Sequence, residues 1–156
     1  MPLTQTEHEA FMDEVIDLAC QNLKRPFASL LVDRRSGEVI AKGLNKNYKN
    51  PVLHSEIVAI TQAVEQKHIV DWSNTVLYTT AEPSPMGMTA ILWTGIPTVI
   101  YGSTKDTLQH LGFRQVDIPA QEIIDRAINL DCQLIAGVQE TKCDELFNAA
   151  AKIDKV

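Results

Sequence analysis

The chain is poor in cysteine: Cys20, Cys132 and Cys143 are an odd number at wide spacings, with no C-x-x-C pair. That excludes a disulfide framework and fits a reduced, cytoplasmic chain. No apolar run approaches the ~20 residues needed to cross a bilayer, so no membrane partner is expected. The N-terminal MPLTQTEHEAF lacks the basic and apolar regions of a signal peptide. Internal repeats, low-complexity tracts and linkers are missing, which makes residues 1–156 one expected domain. Positive charge is also short. Lys and Arg number 14 against 20 Asp and Glu, for a net charge of −6 and a pI near 5.1. The basic residues are scattered rather than gathered in a stripe, so nucleic acid is disfavoured as a partner.

What is present is a regular alternation of elements. Thr4-Gln5-Thr6-Glu7 fits a capping box, opening a helix to about Asn22 whose inner face is Phe11, Val15, Leu18 and Ala19. ASLLVD after Pro26-Phe27 predicts a buried strand, Arg34–Gly37 a hairpin-type turn and EVIAKG the return strand. A polar loop, 45–50, leads through Pro51 to a helix from Leu53 to about Gln66, with Ile57, Ile60, Ala63 and Val64 inward. VLYTT and Pro97-TVIYG predict two more strands. Between them lies a short helix, MGMTAILWTG, ending at Gly95. One or two short helices are expected in 104–130, a last strand over CQLIAGV, and a last helix over 140–152. The order α-β-β-α-β-α-β-(α)-β-α predicts a three-layer α/β/α sandwich around a mixed five-stranded sheet.

Two pieces carry chemistry. His54-Ser55-Glu56 opens one helix, and Glu82-Pro83-Ser84-Pro85-Met86-Gly87 opens another after a strand. Together they resemble the cytidine and deoxycytidylate deaminase superfamily, most of all its guanine deaminase and tRNA adenosine deaminase branch. That pattern is H-x-E followed by P-C-x-x-C. Pro26-Phe27-Ala28 resembles the turn before the first strand. Gly43-Leu44-Asn45 resembles a G-x-N whose asparagine reaches substrate. Thr79-Thr80-Ala81-Glu82-Pro83 leads into the second motif, and Ala136-Gly137-Val138 with Cys143 resembles the last strand and helix. H-x-E alone is weak; the ordered set is specific.

The resemblance implies zinc held by one histidine and two thiolates, with a glutamate moving protons. Here the histidine is His54 and the glutamate Glu56, but Ser84 and Gly87 stand at the thiolate positions. Zinc lowers the pKa of its water from about 15.7 to about 7. Losing it makes hydroxide scarcer by about eight powers of ten, on the order of 12 kcal/mol. Glu56, with an ordinary pKa of about 4.3, is too weak a base to replace it. Among other candidate ligands, Cys20, Cys132, Cys143, His8, His68 and His110 are expected far from the site. Met86 and Met88 are soft ligands ill suited to zinc, which leaves Glu82 as the nearest recruit.

Structural explanations stand beside these. Ser84 reads as a helix N-cap, Glu56 as a first-turn acid favoured by the helix dipole, and Asn45 as a turn former. Trp93 reads as core, and the three cysteines as small buried apolar residues. The expectation is a deaminase-fold protein, inactive or weak in hydrolytic deamination and without zinc unless the site is rebuilt. Its pocket of Phe27, Asn45, His54, Glu56 and Ser84 would take a small base- or nucleoside-like ligand, and the resemblance implies a homodimer. Two alternatives stay open. One is an active deaminase of a purine-type base with non-standard metal ligation; the other is a non-catalytic subunit of a deaminase complex.

Overall fold

The computed structural model describes residues 2–67 and 69–153. His68 therefore lies outside the described residues. Among the described residues, six α-helices and five strands run in the order α1 (Gln5–Ala19), β1 (Ala28–Asp33), β2 (Val39–Leu44), α2 (Ser55–Lys67), β3 (Thr75–Ala81), α3 (Pro85–Thr94), β4 (Thr98–Ser103), α4 (Lys105–His110), α5 (Ala120–Arg126), β5 (Gln133–Ile135) and α6 (Glu140–Ile153). The sheet order is β2-β1-β3-β4-β5. β1 pairs antiparallel with β2 and β3, while β3, β4 and β5 are parallel, so the sheet is mixed as expected.

Both faces of the sheet are covered, which explains why β1 and β3 read as near-continuous apolar runs rather than alternating ones. Leu31, Leu77 and Val99 pack with Ala63 of α2, Met88 and Ile91 of α3, and Ile124 of α5. Leu30, Val32 and Tyr78 point the other way, onto Met12 and Val15 of α1 and Cys143 of α6. The sandwich follows from that strand period of two.

The capping box of α1 is present. Glu7 N–H donates to Thr4 Oγ1 at 3.2 Å and Thr4 N–H to Glu7 Oε2 at 2.7 Å. The helix ends at Ala19 rather than near Asn22, and its deepest residues are Met12, Val15 and Ala19. The buried line of α2 differs from the expected one. It runs through Ser55, Ala59 and Ala63, together with Glu56, while Val64 is exposed. Gly43 gives the reason. A Cβ there would collide with the carbonyl of Ser55 and lie 2.6 Å from Ala59 N. The helix approaches β2 closely enough that only small residues fit on its inner line.

Three further expectations need correction. β5 is three residues long, because Gly137 and Gln139 take positive φ (82° and 54°) and turn the chain into α6. Trp93, expected in the core, is 75% exposed. Cys20 is exposed rather than buried, since it follows the last residue of α1. Cys132 and Cys143 are buried, and that burial pushes their thiols up to about 11 and about 12.

Two predictions follow from this packing. Gly43→Ala is expected to cost about 2–3 kcal/mol by overpacking, a drop of roughly 4–10 °C in Tm; a calorimetric Tm within 1 °C of wild type would contradict the close approach. An aromatic disulfide reagent at neutral pH is expected to label Cys20 quickly. Cys132 and Cys143 should react only on unfolding, as protonated, buried thiols do.

Candidate functional site

Parallel strands leave an open end at their carboxyl termini, and α/β proteins bind ligands there. The chain leaving β3 at Ala81 passes through Glu82-Pro83-Ser84 into α3, and the loop leaving β2 returns through His54 into α2. The two helix starts meet across a cavity of about 650 Å³, within the ~300–1,000 Å³ usual for small-ligand pockets. All five residues singled out in the sequence line it: Phe27, Asn45, His54, Glu56 and Ser84.

His54 immediately precedes α2, and its carbonyl accepts from Val58 N–H at 3.0 Å. Ser55 Oγ lies 2.7 Å from Ser29 Oγ, pinning the helix start to β1. His54 Nδ1 lies 3.2 Å from Ser84 Oγ. Ser84 is the N-cap of α3, accepting from Gly87 N–H at 3.2 Å. The serine hydroxyl can therefore donate to a bare Nδ1 while accepting from the helix. Burial lowers the His54 pKa, which favours that neutral imidazole.

Glu56 is almost fully buried. Burial pushes its carboxyl pKa up, against the hydrogen bond from Thr79 Oγ1 to Oε1 at 3.4 Å and the charge of Lys105. Its other oxygen lies close to Gly87, where a Cβ would come within 3.2 Å of Oε2. Asn45 Oδ1 accepts from Asn47 N–H at 2.9 Å. The turn-forming role is thus real, and the amide nitrogen is the end that remains for a ligand. Phe27 sits in an aromatic cluster, 4.9 Å from Phe147 and edge-on to Phe113 at 5.9 Å between ring centroids.

Glu82, the expected recruit, is committed elsewhere. One carboxylate oxygen accepts from Lys105 N–H at 3.1 Å and the other from Ala120 N–H at 3.0 Å, tying together the starts of α4 and α5. His8 is hydrogen-bonded to Tyr78 at 2.8 Å and His110 to the carbonyl of Asp106 at 2.7 Å. Neither lines the cavity, and neither do the cysteines. Among the described residues, no three of His, Cys, Asp and Glu are grouped to hold a metal ion. Nor is any buried side-chain polar atom there left without a partner. Ser84 offers a neutral hydroxyl already used as a cap, and Gly87 offers no side chain. The donor set present does not fit a catalytic zinc.

Sequence reasoning missed the far wall, Gly112 to Val116, and Arg25. Gly112 has φ +89° and reverses the chain after α4. The buried Lys105 ammonium donates to Gln115 Oε1 at 3.2 Å, holding the segment that carries Phe113. The Leu-Gly-Phe that ends α4 was the available signal, but nothing local says that this turn faces the two motifs.

A mixed sheet with two helix starts meeting over an amide, an imidazole and a buried carboxylate defines an α/β ligand-pocket protein. The sequence profile of the cytidine and deoxycytidylate deaminase zinc-binding region matches residues 5–103, and the chain belongs to that family. It is 30% identical to guanine deaminase of Bacillus subtilis over 127 residues, 74% of this chain and 80% of that one. It is also 30% identical to a tRNA-specific adenosine deaminase of Streptococcus pyogenes, over 94% of this chain and 85% of that one. A solved structure of NE0047 in complex with 2,6-diaminopurine superposes with a TM-score of 0.78 at 25% identity, covering 93% of this chain and 82% of that one.

Ser84→Ala is expected to destabilise the protein by about 1 kcal/mol through loss of the cap, with Ser84→Asp retaining most of it. Urea denaturation reads the difference, and an Ala variant as stable as wild type would mean that the capping bond contributes nothing.

Proposed function

We propose that this chain is a zinc-free member of the deaminase family, a single domain whose pocket binds a base or nucleoside and which is inactive or weak in hydrolytic deamination. The observation that carries this reading is the occupation of the two thiolate positions by a capping hydroxyl and a glycine. Relatives named for guanine and adenosine deamination, and one complex with 2,6-diaminopurine, favour a purine-type ring. Phe27 and Phe113 offer apolar faces to such a ring. The amide nitrogen of Asn45 donates to an acceptor on its edge. Glu56, whose pKa burial raises, is the second hydrogen-bonding group of the pocket.

Catalysis is a different matter from binding. Positioning contributes about 7–11 kcal/mol in favourable reactions. Zinc enzymes use that contribution too, so it does not replace the roughly 12 kcal/mol tied to metal-bound hydroxide. Binding needs only the shape and the hydrogen-bonding groups, and those are here.

A homodimer is part of the same proposal. The exposed Trp93 of α3 shares a shallow groove with Ile128, which is 84% exposed, and with the partly buried Ile123 and Leu130. Patches of this kind on a small chain mark association surfaces.

The test is metal content by elemental mass spectrometry with zinc supplied throughout purification. Wild type is expected to hold well under 0.1 zinc per chain, as an order-of-magnitude figure for a site with one nitrogen ligand. The double variant Ser84→Cys, Gly87→Cys is expected to hold about one, provided that Glu56 yields the few tenths of an ångström that a Cβ at 87 requires. Stoichiometric zinc in wild type, lost with His54→Ala, would overturn the proposal. Trp93→Glu is expected to convert a dimer to monomer in light scattering.

A further inference from the structure

We propose that Ser84 and His54 form a nucleophile–base pair, so that the pocket cleaves small carboxylic esters through an acyl-serine at position 84. This goes beyond ligand binding but rests on the metal-free reading above, because a metal would take the same imidazole nitrogen.

Three observations meet at one oxygen. Ser84 Oγ lies 3.2 Å from His54 Nδ1, the reach that a nucleophile and its base require. Both residues line the cavity and both are half-buried, so a substrate held there meets the pair. Ser84 also stands where the chain leaving β3 enters α3, and its Oγ accepts from Gly87 N–H at 3.2 Å. That donor and the positive end of the helix favour negative charge on the attacking oxygen.

Capping alone does not build this arrangement. Thr4 and Thr104 cap α1 and α4 with the same kind of bond. The Thr4 hydroxyl donates to Glu7 Oε2 at 3.0 Å and the Thr104 hydroxyl to Thr107 Oγ1 at 3.2 Å. Neither meets an imidazole, and neither residue lines the cavity.

The steps balance with water as the only co-reactant. With the imidazole proton on Nε2, Nδ1 takes the Ser84 hydroxyl proton as Oγ bonds to the ester carbonyl carbon. The carbonyl oxygen takes up the negative charge. The N–H of Met86, a first-turn donor with no partner inside α3, is available to it. The bond from carbon to the alcohol oxygen then breaks, and the proton on Nδ1 leaves with the alcohol. A water attacks the acyl-serine and gives a proton to Nδ1. The carboxylic acid departs as that proton returns to Oγ.

Phe27, Phe113 and Met86 supply apolar faces, which favours an ester of a flat aromatic alcohol. Glu56 does not orient the imidazole, since its Oε1 is engaged by Thr79. The pair is a dyad, and a triad deprived of its acid is slower by about four powers of ten. Turnover is therefore expected to be slow, and the covalent step is the better readout.

The purified chain is treated with an alkyl fluorophosphonate and, separately, with 4-nitrophenyl acetate, and zinc is measured in the same sample. Intact mass and peptide mapping are expected to show one phosphonyl adduct, on Ser84. Ser84→Asn, which keeps a helix cap, should lose it. His54→Gln should slow both labelling and 4-nitrophenol release by about a hundredfold or more, the size of general-base assistance. Cys20→Ala removes the exposed thiol and should change neither rate. No adduct on zinc-free protein, or an adduct that survives Ser84→Asn, would overturn the dyad and leave the base pocket standing. Labelling of Ser84 at an unchanged rate in His54→Gln would overturn the pairing. Stoichiometric zinc would overturn the metal-free reading and this proposal with it.

Discussion

The site depends on how closely α2 lies against β2. Gly43 leaves no room for a side chain between strand and helix, and Ser55, Ala59 and Ala63 form the small-residue line that settles onto it. That contact fixes the height and rotation of the first turn of α2. His54 and Glu56 are then carried to the cavity as a rigid pair, and the Ser55–Ser29 hydrogen bond sets their position along the helix axis. The same glycine opens the Gly43-Leu44-Asn45 stretch, so one close approach positions both the amide and the helix start. Preorganisation of this kind holds the shape of a pocket before any ligand enters it.

Glu82 plays the matching part on the other side. Its two oxygens take the first N–H of α4 and of α5, groups that a helix start leaves without an internal partner. Lys105, whose N–H is one of them, sends its ammonium to Gln115 and so holds the wall that carries Phe113. Removing the Glu82 carboxylate to serve a metal would orphan two backbone donors, and a buried donor without a partner costs about 1–3 kcal/mol. Recruiting Glu82 as a metal ligand would thus be opposed by the fold.

Much of this was legible in the sequence, and the failures have physical causes. The strands, the capping box, the Ser84 cap and the Gly95 stop are local patterns, and local patterns survive folding. The five pocket residues were legible because an ordered set of short motifs carries them: Pro26-Phe27-Ala28, Gly43-Leu44-Asn45, His54-Ser55-Glu56 and the stretch around Ser84. The inward face of α2 was misread because periodicity ranks residues by hydrophobicity, whereas the deciding factor was the room left by Gly43. Trp93 was misread for a similar reason: an apolar residue on a mostly apolar helix is expected inside, and only the packing shows that its side of α3 is left uncovered. The wall at 112–116 and the role of Glu82 were invisible because both depend on contacts between segments far apart in sequence.

Ser84 links the start of α3 to the start of α2. A residue at the start of α3 has two separable duties, to accept from the helix N–H groups and to face His54. A serine hydroxyl performs both, and it leaves the imidazole neutral and hydrogen-bonded rather than exposed as an unsatisfied group. Gly87 has only the second kind of duty to lose, and the Glu56 carboxylate lies against the space its side chain would enter. Every buried side-chain polar atom among the described residues then has a partner within the protein. The polar side chains buried in the pocket are thus satisfied within the protein, and its lining also presents the amide nitrogen of Asn45 and the ring of Phe27.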